Sequence, residues 1–205
     1  MTERPLSATP TPKYRTTDDY LMAERQSPAK NEFLNGRVIG RSSSNRWHNL
    51  IVSNAAVAIG SRIHGGKSDL YIGNMRVRLR NNFICYPDVV VVNGEPAFGD
   101  PNADLLLNPT VVLEIISQAT NTLEKTQKVE AFLAMDSIRE VVLVKEDEMR
   151  IEHYAKQNAK QWIYKIYNER DDVLSMESIN CKVSLSEIYA QIKFGHAPLS
   201  SSAVN

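Results

Sequence analysis

Two things are scarce in this chain, long apolar runs and cysteines, and both scarcities limit what kind of protein it is. No apolar run approaches the roughly 20 residues that a membrane-spanning helix needs, so we expect no membrane partner. The first residues lack the apolar core of a secretory signal. The two cysteines, Cys85 and Cys181, have no metal-ligand spacing. We therefore expect two reduced thiols in a cytoplasmic protein.

A net charge is also missing, because 24 Lys and Arg balance 24 Asp and Glu. This balance argues against a protein that simply coats nucleic acid. The charges are nevertheless segregated. Residues 37–80 hold eight Lys or Arg and one acid, whereas residues 81–150 hold twelve acids and five Lys or Arg. This segregation of charge suits a protein that binds phosphates with one surface and cations with another. Two solvated faces would give the same pattern.

The composition predicts one globular domain over residues 14–195. Residues 1–13 contain three prolines among serine and threonine and predict a disordered leader, and residues 196–205 predict a disordered tail. Between them there is no repeat, no low-complexity tract and no linker. A chain of 205 residues is long enough to bury one core of useful size.

Hydrophobic periodicity predicts an α/β (α+β) fold, a mixed sheet with flanking helices. Two unalternating, β-branched runs at 87–92 and 110–116 predict strands covered on both faces, with a long loop over 93–109. The other predicted elements are a helix opened by 16–19, a hairpin at 31–39, a helix over 46–63, a strand over 75–79, a helix over 122–135, a strand over 140–144, a hairpin at 150–167 and a closing helix over 184–192.

Two acids lie where acids are rare. Asp88 precedes four consecutive valines, and Glu114 interrupts a run of Val, Leu and Ile. An unpaired buried carboxylate costs several kcal/mol, and a divalent cation is a partner that two converging carboxylates readily share. For either acid alone, a solvated strand end or an arginine partner explains it better. For both, on consecutive core strands, a shared metal is the better explanation.

Lys128 follows on the helix after the Glu114 strand, near the apolar stripe of that helix. Its long stem can reach along apolar surface to the strand end. A lysine beside a metal-bound phosphodiester stabilises developing negative charge. The alternative, which the residues by themselves favour, is a surface lysine paired with Glu124 four residues earlier.

These residues occur in an order that resembles the Uma-type family of the PD-(D/E)XK restriction-endonuclease-like superfamily. The resemblance extends from Thr16 to about Ile192 and depends on the order and spacing of its pieces. Those pieces are NEFLNGR (31–37), MRVRL (75–79), YPDVVVV (86–92), PTVVLEIIS (109–117), the T-x3-E-x3-K segment (120–128) and REVVLV (139–144). It implies a restriction-endonuclease-like sheet core with hairpins near both ends.

The resemblance also implies a site that binds Mg²⁺ or Mn²⁺. Asp88, Glu114 and the backbone carbonyl of Ile115 match its metal ligands. Glu32 matches an early catalytic acid near the same site, which would tune the site or contribute to a second metal. Lys128 matches a catalytic lysine displaced onto the helix. Many members of the superfamily carry this lysine two residues after the glutamate, where this chain has an isoleucine.

The implied function is metal-dependent DNA endonuclease activity. Arg76, Arg78 and Arg80 alternate on one strand and are candidates for phosphate contacts, as is His48 near a helix start. Two alternatives stay open: a nuclease fold with weak or no cleavage that binds nucleic acid or regulates, and a phosphoesterase acting on a small nucleotide or RNA. A homodimer is expected only because proteins of similar fold commonly form dimers.

Overall fold

The computed structural model describes residues 16–34, 36–41, 44–63, 65–80, 82–117 and 122–194, without the side chains of 122–124. The leader and tail expected at 1–13 and 196–205 lie outside the described residues. None of the helices described there is both long and apolar enough to cross a membrane.

Four α-helices and thirteen strands occur in the described part of the chain. The helices are α1 Thr17–Glu24, α2 Arg46–Ile63, α3 Thr122–Leu133 and α4 Leu185–Ile188, with a 3-10 turn at Glu177–Ile179. The strands are β1 Asn31–Leu34, β2 Arg37–Gly40, β3 Ser68–Ile72, β4 Arg76–Leu79, β5 Phe83–Cys85, β6 Val89–Asn93, β7 Leu105–Leu106, β8 Val111–Ile116, β9 Glu140–Lys145, β10 Ile151–Asn158, β11 Gln161–Tyr167, β12 Val173–Met176 and β13 Cys181–Ser184.

A six-stranded sheet in the order β11-β10-β9-β8-β6-β3 forms the centre of the fold. Strands β8 and β9 are parallel and are joined through α3, whereas the other neighbours in this sheet are antiparallel. A second sheet has the order β2-β1-β5-β4-β7, and β12 pairs with β13. The strand–helix–strand unit predicted for residues 110–144 is therefore confirmed.

Core packing covers both faces of the central sheet, which explains why β6 and β8 do not alternate. Val89 and Val91 pack in a cluster with Ile51 of α2. Val90 and Val92 pack in a second cluster, with Phe132 of α3. Successive side chains of a strand point to opposite faces, so a strand between two helical layers needs apolar residues at every position.

Local sequence signals account for the elements that carry the site. The Thr16 side chain accepts a hydrogen bond from the Asp19 amide and caps α1, as predicted. The β1–β2 hairpin turns at Gly36, whose φ of 83° favours glycine. Helix α2 has the predicted bounds, and both cysteines are free and buried.

Several predictions of the connections were wrong. The segment 93–109 is not only a loop, because β7 lies within it and pairs in parallel with β4. The closing helix is a single turn, Leu185–Ile188. Strands β3, β5, β12 and β13 were not predicted. They have three to five residues, too few for a period to show, and long-range pairing stabilises them.

Candidate active site

Two nearly buried carboxylates meet at one end of the β6–β8 pair. Asp88 precedes β6 and is 3% exposed, and Glu114 in β8 is 7% exposed. The Asp88 Oδ2 atom accepts a hydrogen bond from the Ile115 amide at 2.8 Å. This side chain therefore continues the pairing of the two strands beyond the last backbone partners, Val89 and Leu113.

Lys128 connects Glu114 to the second sheet. Its Nζ atom lies 2.8 Å from Glu114 Oε1 and 2.9 Å from Glu32 Oε1. Glu32, on β1, also accepts a hydrogen bond of 3.2 Å from the Tyr86 amide. Lys128 on α3 is therefore a part-buried cation that bridges two carboxylates, and the surface position considered for it is wrong.

Arg41 and His48 complete the surroundings of Asp88. Arg41 is the residue directly after β2, and its guanidinium donates a hydrogen bond to Asp88 Oδ1. His48, in the first turn of α2, places Nε2 3.3 Å from Asp88 Oδ2. From the sequence, His48 was predicted only as a candidate for a phosphate contact. Arg41 was missed, because only the fold brings residue 41 beside residue 88.

Burial and the neighbouring charges shift the pKa values of the cluster in different directions. Burial raises the pKa of Glu114, and the Lys128 ammonium lowers it, but the negative charges of Asp88 and Glu32 add to the rise, so that the pKa is about 7. Burial also raises the pKa of Asp88, yet hydrogen bonds from His48 and Ile115 and the Arg41 charge bring it below the ordinary value.

Lys128 stays cationic in spite of its burial. Burial by itself lowers the pKa of an ammonium group, but the carboxylates of Glu114 and Glu32 together raise the pKa of Lys128 above its usual value. Lys128 is therefore a permanent positive charge beside Glu114 at neutral pH.

A cavity of about 170 Å³ opens beside the cluster. Its polar lining comes from Glu32, Arg41, Glu114, Lys125 and Lys128, and the rest of the wall is mostly apolar. Side chains from both sheets and from α3 therefore line one cavity.

The backbone of Ile115 contributes to the same end of the strands. Its amide faces Asp88, and the N–H and C=O groups of a strand residue point to the same side. The Ile115 carbonyl oxygen therefore lies on the Asp88 side of β8.

Comparison with known proteins identifies the family. A model of the Uma2 family, described as "Putative restriction endonuclease", matches residues 17–186. The chain belongs to this family. The resemblance inferred from the sequence motifs is thereby confirmed.

Two proteins of Synechocystis sp. are similar to this Uma2 member. The uncharacterized protein sll1609 is 28% identical over 154 residues, which cover 75% of this chain and 87% of the relative. The uncharacterized protein slr1290 is 22% identical over 191 residues, which cover 90% of this chain and 96% of the relative.

A solved structure confirms the fold class of this Uma2 protein. The crystal structure of "a putative nuclease belonging to DUF820 from Anabaena variabilis ATCC 29413" superposes with a TM-score of 0.71 at 18% identity. The match covers 86% of this chain and 98% of that chain. The mixed α+β fold class expected from the sequence is therefore confirmed.

The arginines expected to contact phosphates are placed differently from the cluster. Arg76 donates hydrogen bonds to Asp104 at 2.7 Å and to the Tyr86 hydroxyl at 2.6 Å, so its guanidinium links β4 to Tyr86 and Asp104. Arg78 lies 3.7 Å from Asp18, and Arg80 pairs with Asp136. A role for these three side chains in binding DNA stays a prediction.

Proposed function

We propose that this chain is a DNA endonuclease that hydrolyses phosphodiester bonds with a divalent cation, Mg²⁺ or Mn²⁺. The observation that carries the proposal is the convergence of Asp88 and Glu114 with a lysine that bridges Glu114 and Glu32. Membership of a family described as "Putative restriction endonuclease" supports it. A nuclease with this site takes DNA as its partner.

The residues of the cluster fit a magnesium-type ion. Three carboxylates, Asp88, Glu114 and Glu32, face the two cations Arg41 and Lys128, so one negative charge remains when all three carboxylates are ionised. No group of three or more His, Cys, Asp or Glu suited to one metal occurs in the described part of the chain. Mg²⁺ commonly takes one or two carboxylates and completes its shell with water, so this donor set is sufficient.

In the proposed mechanism Asp88, Glu114 and the Ile115 carbonyl would hold the cation. The bound ion would neutralise charge on the scissile phosphate and make a water molecule more acidic. Asp88 is ionised over the neutral range because its pKa is lowered. Glu114, with a pKa of about 7, retains a proton below neutrality, so cation binding favours the ionised carboxylate.

Lys128 would stabilise the negative charge that develops on the phosphate. It is buried enough for its field to be strong, and Glu32 keeps it protonated and directed to the Glu114 side of the cavity. Glu32 is thus a positioning residue for Lys128. The hydrogen bond from the Tyr86 amide holds the Glu32 carboxylate in place.

The dimensions of the cavity favour a polynucleotide over a small nucleotide. At about 170 Å³ it is smaller than the roughly 300 Å³ at which pockets for small ligands begin. A phosphodiester group presented by a longer strand needs no enclosing pocket. A small-nucleotide phosphoesterase is therefore the weaker alternative.

Nicking of supercoiled plasmid tests the proposal. The conservative variants Asp88→Asn and Glu114→Gln should each lose at least about 100-fold in Mn²⁺-dependent nicking, because each loses an ionised ligand. Glu140→Gln is the matched control, since Glu140 is another buried carboxylate of the same sheet. Equal activity in all proteins would reject the proposal. Metal and DNA binding without any nicking would instead support the binding or regulatory alternative.

A further inference from the structure

The two oxygen atoms of Asp88 have different roles in the structure. Oδ2 is held by the Ile115 amide at 2.8 Å and lies 3.3 Å from His48 Nε2. Oδ1 is the oxygen that Arg41 occupies. A backbone amide of a buried strand cannot move away, whereas an arginine side chain can. Oδ1 is therefore the atom at which Asp88 can exchange one cation for another.

We propose that Arg41 is a built-in competitor for the cation site. In this inference, which rests on the proposed function, the guanidinium holds Asp88 Oδ1 in the metal-free protein and leaves it when a divalent ion binds. It then takes a phosphate oxygen of the DNA strand as its new partner. Arg41 thus makes DNA binding and cation binding cooperative.

The contacts of Arg41 permit this exchange. Besides Asp88, its guanidinium has a long hydrogen bond of 3.5 Å to the Gly73 carbonyl, and the side chain is 21% exposed. The Gly73 carbonyl also accepts from Lys30 at 3.0 Å, so it does not depend on Arg41. Leaving Asp88 therefore costs Arg41 one strong contact and leaves no backbone group unpaired.

The position of Arg41 also suits the second partner. Arg41 lines the cavity together with Lys128, so a guanidinium that leaves Oδ1 stays within the site. Guanidinium groups bind phosphate oxygens in a bidentate geometry, and they remain charged at every pH of interest. A strand phosphate between Lys128 and Arg41 would compensate the positive charge that the divalent ion adds.

Reciprocity makes the effect measurable in both directions. When DNA provides a new partner for Arg41, the cation no longer competes with the guanidinium, so DNA must raise cation affinity. By the same linkage the cation must raise DNA affinity by the same factor. Removal of the Arg41 charge should therefore strengthen cation binding without DNA and weaken the coupling between the two ligands.

The first measurement is the Mn²⁺ affinity of the DNA-free protein by isothermal titration calorimetry. Arg41→Ala and Arg41→Gln should bind Mn²⁺ about tenfold more tightly than the original chain, because a positive charge that competes for Asp88 Oδ1 is gone. Arg62→Ala is the control, since Arg62 pairs with Glu187 outside the site and should leave the affinity unchanged. The glutamine variant keeps the proposal testable if the alanine variant folds poorly.

The second measurement is the binding of a phosphorothioate duplex by fluorescence anisotropy, with and without Mn²⁺. Mn²⁺ should tighten duplex binding by about tenfold in the original chain and by less than about threefold in Arg41→Gln. Equal Mn²⁺ affinity and equal coupling in both proteins would overturn the role of Arg41 and leave the endonuclease proposal intact. Absence of Mn²⁺ binding in every variant would instead reject the metal site itself.

Discussion

Glu114 and Glu140 lie on neighbouring parallel strands and are both almost completely buried, at 7% and 3% exposure, yet their surroundings differ. Glu140 Oε2 lies 2.6 Å from His153 Nε2, and Oε1 accepts a hydrogen bond of 2.8 Å from the Ser178 amide. Burial raises the pKa of Glu140, but these partners lower it below the ordinary value. Burial and two neighbouring acids raise that of Glu114 to about 7.

The two acids also lie on opposite faces of the sheet. Glu114 shares its face of β8 with Val112 and Ile116, which pack in the α3 cluster. Glu140 shares its face of β9 with Val142 and Val144, which pack in the α2 cluster. Burial of a carboxylate is therefore not enough to indicate a site. The difference is that Glu140 has its own hydrogen-bond partners, whereas Glu114 shares Lys128 with another acid.

The largest effect should come from Lys128, the shared cation. Lys128→Ala should lower nicking by about 100- to 1,000-fold, because charge stabilisation at the phosphate is lost. Mn²⁺ affinity, measured by calorimetry, should not fall. Lys182→Ala, an exposed lysine on β13, is the control. Unchanged nicking in Lys128→Ala would mean that its bridge to Glu32 and Glu114 is only structural.

Removal of the partner of Glu140 should affect stability and not activity. His153→Ala should lower the free energy of unfolding by about 3 kcal/mol, because it leaves a buried carboxylate short of a partner. Urea denaturation measures this loss, and nicking per folded molecule should be unchanged. A loss of nicking comparable with that of Asp88→Asn would remove the distinction between the two acids.

The smallest effect concerns the pH dependence of metal stabilisation. The folded pKa of Glu114, about 7, is above its unfolded value, so the contribution of Glu114 to metal-free stability is greatest below the unfolded pKa and is lost as pH rises through about 7. A cation needs the ionised form. Mn²⁺ should therefore raise the melting temperature by about 3 °C more at pH 8 than at pH 5.5.

Glutamine variants separate the two acids in this last experiment. Glu114→Gln should abolish the pH dependence of the Mn²⁺ effect, measured by differential scanning fluorimetry. Glu140→Gln should keep it, because the lowered pKa of Glu140 affects stability only at acid pH, below its unfolded value. An identical Mn²⁺ effect at both pH values in the original chain would contradict the shift assigned to Glu114.

Much of the fold and part of the site followed from local patterns. The valine runs around Asp88 and Glu114 are long enough to indicate strands covered on both faces, and the periodicity of α2 reproduced its bounds. An acid in such a strand stands out because it breaks the run. Lys128 was a candidate because it follows Glu114 on the next helix. These signals depend only on neighbours in the chain.

Tertiary structure decided which of these residues meet and which charges they share. Arg41 lies 47 residues from Asp88 along the chain, and no local pattern distinguishes it from other arginines. Likewise, Glu140 opens β9 much as Asp88 directly precedes β6, and only the fold shows that Glu140 has His153 and the Ser178 amide as its partners. The sequence by itself determined the buried strands and their unusual acids. Packing of two sheets against α3 determined the partners of those acids, because charge compensation depends on distance in space.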